Sequence, residues 1–318
     1  MARGESPTDG GEPALAPDQA FTTLGNESRI RILQTLGTAD TPLSFTELRD
    51  SVGIPQGAQF NYHLDQVVGH FVQKTDDGYA LREPGRRIVQ AILAGTVTDD
   101  PERHPTEIDY PCHHCGERVE VSYDSGKVRM SCRHCGGNFD ADRHPPVREH
   151  PQKEAFGNLS NMEFPPAATQ DRSPAEMFRA AATAIHLDLI AASAGVCPRC
   201  RGPVDQELAS VCEDHDTTTG RCPACDHRNA VLYHWACTNC IYEVTTDALM
   251  GLLNEPVVQA FAGAHGHNVT DRGIEWGWTY GEEILATDPY EFRFTFTIDG
   301  DELTVRTTAD LTVLEATD

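Results

Sequence analysis

The residues best suited to chemistry in this chain are cysteines that occur in Cys-x-x-Cys pairs. Cys112 and Cys115 are followed, sixteen residues later, by Cys132 and Cys135. The segment between the pairs alternates like a strand on both sides of Asp124-Ser125-Gly126, which predicts a hairpin with one pair at each end. Four thiolates held by two turns form the tetrahedral site that Zn²⁺ prefers. The sequence therefore predicts a zinc ribbon over residues 108–140.

A second group of donors predicts two more zinc sites, for up to three structural Zn²⁺ ions in all. Its members are Cys197, Cys200, Cys212, His215, Cys222, Cys225, Cys237 and Cys240. Their spacing permits a tandem repeat of two small ribbons. However, residues 204–211 and 230–236 contain no turn former, whereas residues 216–220 are rich in turn-forming residues. We therefore favour a nested hairpin, with one zinc at its base (Cys197, Cys200, Cys237, Cys240) and one near its tip (Cys212, His215, Cys222, Cys225).

Other uses of these cysteines are less well supported by the pattern. In one alternative for the tip, Cys212 is a small buried hydrophobic residue and His215 is a surface side chain. A redox switch is another, but no thioredoxin-like βαβ pattern surrounds any pair. A catalytic zinc needs an open position and a general base, and each set of donors here closes with four ligands. With no Gly-rich phosphate loop and no Ser/His/Asp signature in the sequence, we do not expect an enzyme.

Charge and composition indicate an intracellular protein. Asp and Glu number 49 against 25 Lys and Arg, the net charge is -24, and the only lysines are Lys74, Lys127 and Lys153. Many carboxylates with few lysines suit a chain that must stay hydrated in high salt, so a halophilic source is favoured over an acidic mesophilic one. No stretch has the length and apolar character of a membrane span, and no apolar signal core precedes the first domain. We expect a cytoplasmic protein without a membrane partner, in which reduced thiols are free to bind zinc.

Residues 18–95 follow a disordered tail (1–17) and have the short helices and terminal hairpin of a winged helix. Asn26 is expected to cap a helix over 27–36, and Ser44 the next helix, with Glu47 completing a capping box. A turn at Gly53-Ile54-Pro55 leads into a helix over 56–71, and residues 71–82 are expected to form a two-stranded wing that turns at Asp77-Gly78.

The helix over 56–71 is the predicted DNA reader. Its apolar residues form one stripe, and its polar side chains are expected to point outward. Gln bonds bidentately to adenine, and Tyr and His reach phosphates or base edges. The predicted DNA contacts are Gln56, Gln59, Asn61, Tyr62, His63 and Gln66 on the helix, with Lys74 and Arg82 of the wing on the phosphate backbone.

This N-terminal segment resembles a known family. LGNESRIRILQTL, PLSFTELRDSVGI and QFNYHLDQVVGHFVQKTDDGYALREPGRR together resemble an ArsR-type winged helix-turn-helix regulator of haloarchaeal kind. The resemblance implies a homodimer on double-stranded operator DNA, with the second helix of the motif in the major groove. The family's metal-sensing cysteine cluster is absent from SFTELRDSVGI, so a metal-responsive switch is not implied.

Two other roles for the winged helix stay open. A winged helix followed by a zinc ribbon also resembles the alpha subunit of archaeal general transcription factor E, which implies the transcription machinery as a partner. A winged helix can also serve as a protein-protein module.

The remaining sequence predicts two further segments. Ser173-Pro174-Ala175-Glu176 is a strong helix start, and the apolar residues that follow cover more than one stripe, so this helix is expected to pack on two surfaces. It opens a domain over 173–246 that contains the double-zinc hairpin. Residues 247–318 are expected to form a small α+β segment, with two helices over 246–253 and 255–264 and a hairpin at Asp299-Gly300. The predicted fold class is therefore α+β and multidomain, and the expected function is that of a sequence-specific transcriptional regulator.

Overall fold

The computed structural model describes residues 15–138, 157–218, 220–267 and 278–318. The chain divides into two compact units, Met1–Asp99 (the N-terminal unit) and Asp100–Asp318 (the C-terminal unit). Most of the predicted tail over 1–17, the end of the ribbon predicted over 108–140 and ten residues of the segment predicted over 247–318 lie outside the described residues. Among those described, no helix is long and apolar enough to cross a membrane.

From residue 15 onward, the N-terminal unit contains five helices and one hairpin. They are α1 (Pro17–Leu24), α2 (Glu27–Gly37), α3 (Phe45–Val52), α4 (Gly57–Val67), β1 (Val72–Thr75), β2 (Gly78–Leu81) and α5 (Glu83–Leu93). The β1–β2 turn is formed by Asp76 and Asp77, one residue earlier than predicted, because Thr75 pairs with Gly78. Tyr79 of β2 also exchanges backbone hydrogen bonds with Leu43, the residue before the cap of α3.

Local capping fixes where α2 and α3 begin, as the sequence predicts. The Asn26 side chain accepts hydrogen bonds from the backbone N–H groups of Ser28 and Arg29. Ser44 and Glu47 form a reciprocal capping box. Helix α3 ends at Gly53, whose φ of 73° lies in the left-handed region. Glycine adopts this conformation without strain because it has no Cβ. Helix α3 therefore has a sequence signal at each of its ends, the capping box at its start and Gly53 at its end.

The C-terminal unit begins with an antiparallel sheet of four strands. They are β3 (Arg103–Pro111), β4 (Arg118–Asp124), β5 (Lys127–Cys132) and β6 (Gly157–Glu163), in that spatial order. The β4–β5 hairpin turns at Ser125-Gly126, both with positive φ, so the predicted turn is confirmed. The sheet is larger than the hairpin predicted over 108–140, because β3 and β6 add a strand at each of its edges.

Two more antiparallel sheets complete the C-terminal unit. One contains β7 (Val204–Val211), β8 (Val231–Cys237) and β9 (Glu243–Asp247); the other contains β10 (Thr279–Thr287), β11 (Tyr290–Ile298), β12 (Asp301–Thr308) and β13 (Val313–Thr317). The short helices α7 (Ala248–Leu252) and α8 (Pro256–Ala264) lie between them in sequence. The predicted hairpin at Asp299-Gly300 is confirmed, since Ile298 pairs with Asp301.

Helix α6 (Pro174–Ser193) joins the two cores of the C-terminal unit. It begins at the predicted Ser173–Glu176 capping box. Met177, Phe178, Ala181 and Ala182 pack with the β3–β6 sheet, whereas Leu189 and Ala192 belong to the core shared by the other two sheets. The segments predicted separately over 108–140, 173–246 and 247–318 therefore share one compact unit. The observed class is α+β, with several small antiparallel sheets.

Candidate metal centres and nucleic-acid face

Three groups of donors converge in the C-terminal unit. The ribbon cluster is Cys112, Cys115, Cys132 and Cys135; the base cluster is Cys197, Cys200, Cys237 and Cys240; the tip cluster is Cys212, His215, Cys222 and Cys225. Within each cluster all four donor atoms lie within 4.8 Å of one another. This grouping confirms the nested arrangement over the tandem repeat.

The nested arrangement follows from the pairing of β7 with β8. Val204 pairs with Cys237 at one end of the hairpin, and Val211 pairs with Val231 at the other. The base cluster therefore collects the turns that precede β7 and follow β8. The tip cluster collects the donors between the two strands. Long strands without turn formers were the signal that separated the two alternatives.

The spacing of the donors fits a tetrahedral ion. In such a site with metal–sulfur bonds of about 2.3 Å, two sulfurs are about 3.8 Å apart, and a sulfur and a nitrogen are about 3.6 Å apart. The Sγ–Sγ distances are 3.6 Å for Cys112–Cys135 and for Cys115–Cys132, 3.6 Å for Cys197–Cys240 and 3.4 Å for Cys200–Cys237. In the tip cluster, Cys212 and Cys222 are 4.0 Å apart, and Cys225 Sγ lies 3.4 Å from His215 Nδ1. These distances exceed a disulfide bond by more than an ångström.

Hydrogen bonds to sulfur favour the thiolate form of two of these cysteines. The Asn239 side chain and the Gly202 N–H lower the pKa of Cys200 to about 6. The Asp216 N–H donates to Cys222 and lowers the pKa of Cys222 to about 6. Burial instead raises the pKa of Cys112, so its thiolate gains from a nearby cation. The thiolate is the form that binds metal, so the hydrogen bonds to Cys200 and Cys222 favour the liganding state of these two cysteines.

The tip histidine is oriented for ligation through Nδ1. Its Nε2–H donates to the carbonyl of Arg228 at 3.1 Å, which leaves Nδ1 as the nitrogen facing Cys225. A ligating histidine ordinarily donates its other ring N–H to such a partner, which fixes the tautomer. The interpretation of His215 as a mere surface side chain is not supported by this arrangement.

The predicted DNA contacts on α4 divide into exposed and buried residues. Gln56, Gln59, Asn61, Tyr62 and Gln66 are exposed, and Tyr62 has 59% of its surface accessible. His63 is buried, with 8% accessible, and its Nδ1 has no hydrogen-bond partner. The expectation that His63 points outward is therefore wrong. It lies on the apolar stripe because it is three residues after Phe60 and four before Val67.

The two predicted phosphate contacts lie on the hairpin and just after it. Lys74 of β1 is exposed, and its Nζ lies 6.0 Å from the centre of the Tyr79 ring. Arg82 is half-buried, and its backbone N–H donates to Phe71 at 2.9 Å. Both residues therefore lie at the wing or next to it, as the sequence predicts.

Two arginines near the clusters make contacts that the sequence does not predict. Arg199, between two base-cluster ligands, pairs with Glu163 of β6 at 2.5 Å and with Asp188 of α6 at 3.0 Å. Arg228, just after the tip cluster, donates through Nε to the carbonyl of Gly137 at 3.0 Å. Both contacts join segments distant in sequence, so no local pattern could reveal them.

Two family models match the chain. One, described as Domain of unknown function (DUF7351), matches residues 109–313, and the other, described as Domain of unknown function (DUF7347), matches residues 17–92. The two matches fall on opposite sides of the division between the units at residue 99. No curated protein and no solved structure matches the chain.

Proposed function

This chain belongs to the family described as Domain of unknown function (DUF7351), and we propose that it is a sequence-specific DNA-binding transcriptional regulator with structural zinc. The observation that carries the proposal is the exposed row of polar side chains on α4, in a unit whose other helices bury its opposite face. Phe60, Leu64 and Val67 hold that buried face, each with 1% or less of its surface accessible. The outward face is thus presented on a rigid element.

The arrangement around α4 supports assignment as a winged helix-turn-helix. Helix α3, the Gly53 turn and α4 follow each other in the order of that motif, and β1 and β2 follow as the wing. The bridge from Leu43 to Tyr79 adds a third backbone pairing to the small sheet. In such a motif the second helix lies in the major groove. Gln59 and Gln66 then face base edges, and Tyr62 faces a base edge or the backbone.

Charge favours contact through this unit over contact through the rest of the chain. Residues 18–95 hold seven basic and nine acidic residues, whereas residues 96–318 hold 17 basic and 37 acidic ones. A polyanion is repelled by the second segment far more than by the first. With few cations available for phosphates, groove contacts carry a larger share of the affinity, and the salt dependence of binding is shallow.

The three clusters act in this proposal as zinc-held scaffolds. Thiolate and imidazole donors in tetrahedral sets are the ligands that Zn²⁺ prefers, and four protein donors leave no open position for a substrate. Cys-x-x-Cys thiols kept reduced for metal binding are typical of an intracellular compartment, which supports a cytoplasmic location. Homodimer formation follows from the resemblance to ArsR-type regulators and belongs to the same proposal.

Selection from a random pool of duplex DNA tests the proposal directly. The zinc-loaded full chain should enrich one sequence motif, and Gln59→Ala/Tyr62→Ala should lose that enrichment while keeping its zinc. Gln90→Ala, an exposed glutamine on α5, is the matched control and should select the same motif. Failure of the wild-type chain to enrich any sequence would contradict the proposal and favour a polymerase-bound basal factor, a protein-binding module or a redox role.

A further inference from the structure

Arg228 makes a continuous set of contacts between the tip cluster and the ribbon cluster. Its backbone carbonyl accepts a hydrogen bond from Nε2 of His215, a tip-cluster donor, at 3.1 Å. Its side-chain Nε donates to the carbonyl of Gly137 at 3.0 Å. Gly137 is two residues after Cys135 of the ribbon cluster. One residue thus contacts both the histidine donor of one centre and the turn that carries a thiol donor of the other.

The turn that Arg228 contacts has little freedom to adjust. Gly137 has φ of 63°, and a Cβ placed there would lie 2.4 Å from the backbone carbon of Gly157. A Cβ on Gly157 would lie 2.1 Å from the Gly137 nitrogen. The backbone after Cys135 is therefore packed directly against the start of β6, and a change at Gly137 is passed to neighbouring backbone.

Arg221, which precedes Cys222 of the tip cluster, also lies close to this turn. The Arg221 guanidinium lies 3.7 Å from the position of a Cβ on Gly136, and Arg221 Nε pairs with Asp226 at 3.2 Å. Arg221 and Asp226 each adjoin a tip-cluster cysteine in sequence. Arg221 and Arg228 therefore both lie against the turn that follows Cys135. Their backbone positions depend on the tip cluster, because they are close in sequence to its cysteines.

We propose that the tip and ribbon centres are thermodynamically coupled through Arg228, so that an ion at the tip centre increases the affinity of the ribbon centre for zinc. An ion on His215 Nδ1 fixes the ring, and the ring fixes the Arg228 carbonyl. The backbone at Arg228 then holds the guanidinium on Gly137, which holds Cys135 in place. By thermodynamic linkage, an ion at the ribbon centre increases the affinity of the tip centre by the same factor. The proposal requires that both clusters bind zinc, as proposed above, and it does not require DNA binding.

The base cluster provides an internal reference for this coupling. It is connected to β6 and α6 through Arg199, which contacts Glu163 and Asp188. Its sulfurs accept hydrogen bonds from its own turns, including the N–H groups of Gly202 and Asn239. It makes no use of the Arg228 side chain among the described contacts. A perturbation confined to Arg228 should therefore leave the base cluster unchanged.

Thiol labelling in buffers of fixed free zinc concentration measures each centre separately. The full chain is equilibrated with Zn²⁺ and labelled with N-ethylmaleimide, and peptides containing Cys132, Cys222 and Cys237 are quantified by mass spectrometry. The variants are His215→Ala, Arg228→Ala and the double variant. Arg179→Ala, an exposed arginine on α6, is the matched control. Arg228→Ala keeps the carbonyl that His215 uses; it removes the hydrogen bond to Gly137 and the positive charge that acts on His113 and His114.

The proposal predicts a specific double-mutant pattern. His215→Ala should raise the free zinc concentration that half-protects Cys132 by about fivefold or more, and Arg228→Ala should do the same. In the double variant, the free zinc concentration that half-protects Cys132 should rise no further than in either single variant, because both substitutions break the same connection. Cys237 protection should stay unchanged in all of them. Arg179→Ala should match the wild type.

Two results would overturn the coupling. One is that His215→Ala exposes Cys222 while Cys132 keeps its wild-type zinc dependence. The other is that all three peptides become labelled together at one zinc concentration, since that indicates global unfolding rather than a connection through Arg228. If the wild-type chain were labelled at every zinc concentration, the zinc assignment itself would fail, and that outcome is distinct from both.

Discussion

The N-terminal unit contains no cysteine, whereas all 11 cysteines lie in the C-terminal unit. The first unit is stabilised by one apolar core that includes Ile32, Leu33, Leu48 and Phe60, each with 0% of its surface accessible. The second unit has two apolar cores and adds three donor clusters at the turns of its hairpins. Hairpin turns bury little apolar surface, and zinc ligation as proposed above would supply the stabilisation that these turns lack. Metal removal should therefore destabilise the C-terminal unit alone, and a change in the N-terminal core should leave the metal content unchanged.

Removal of zinc should give the largest difference between the units. Structural zinc in comparable peptides contributes about 10–16 kcal/mol at neutral pH, so chelation should unfold the turns around the ribbon, base and tip clusters. Hydrogen exchange followed by mass spectrometry should show lost protection in residues 112–135 and 197–240. Residues 27–67 should keep their protection. Equal loss of protection in both units would contradict the division.

Truncation of the N-terminal core should have the opposite effect. Phe60 is fully buried and packs edge-on against Phe45, with ring centres 5.1 Å apart. Phe60→Ala should lower the free energy of unfolding of the N-terminal unit by about 3–5 kcal/mol, because it leaves a cavity. Zinc content should stay at the wild-type value. Tyr62→Ala, two residues away and exposed, serves as the control and should change stability by no more than about 0.5 kcal/mol.

A half-buried carboxylate should make the C-terminal unit sensitive to pH. Burial, together with the nearby Asp247 carboxylate, raises the pKa of Glu282 from 4.5 to about 7. The carboxylate accepts hydrogen bonds from the backbone N–H groups of Ala230 and Val231, at the start of β8. Between pH 4.5 and 7 the folded state binds more protons at this group than the unfolded state does. The contribution of Glu282 to the free energy of unfolding therefore falls as the pH rises through that interval.

Glu282→Gln should remove this pH dependence. The difference in the free energy of unfolding between wild type and variant should change by about 2 kcal/mol between pH 5 and pH 8, with the wild type losing stability as the pH rises. Denaturant unfolding at saturating zinc measures it, since the difference cancels the pH dependence that metal binding has in both proteins. A constant difference across this range would show that Glu282 has an ordinary pKa.

The two units also contain the same helix cap, which allows a direct comparison of a small effect. Ser44 with Glu47 and Ser173 with Glu176 form equivalent capping boxes at the starts of α3 and α6. Ser44→Ala and Ser173→Ala should each cost about 1 kcal/mol, because each leaves helix N–H groups without an acceptor. The first should affect the N-terminal unit and the second the C-terminal unit, as measured by residue-resolved hydrogen exchange. Loss of protection in the unit that was not mutated would contradict the division.

The local part of this fold could be predicted from the sequence. Capping residues located the starts of α2, α3 and α6, and a pair of residues suited to positive φ located the β4–β5 turn. The grouping of the donors also followed from the sequence. Two uninterrupted strands that pair as a hairpin bring the outer donors together at its base and the inner donors together at its tip. These features depend on interactions among residues close in sequence or on a single strand pairing.

The edge strands could not be predicted, for physical reasons. Residues 103–111 contain two prolines, and residues 157–163 contain glycine and two asparagines, so neither segment has the composition of a strand. They form strands because β4 and β5 offer unpaired edges, and proline is tolerated on an edge. Residues 279–287 likewise contain glycine and two glutamates, and their strand was missed.

One error at the candidate DNA face was avoidable. His63 was placed outward because it is polar, although its spacing from Phe60 and Val67 puts it on the buried side of α4. The exposed row that remains is Gln56, Gln59, Asn61, Tyr62 and Gln66. The contacts of Arg199 and Arg228 had no such signal, since they depend on how distant segments pack.

The most direct test of the account is the genome-wide occupancy of the tagged chain in its own cells, compared with Gln59→Ala/Tyr62→Ala. A sequence-specific regulator should occupy a limited set of sharp sites that share one motif, and the variant should lose those sites. Signal at most active promoters, retained in the variant, would contradict it and indicate a basal transcription factor. Absence of any chromatin signal from the zinc-loaded wild-type chain would contradict DNA binding altogether.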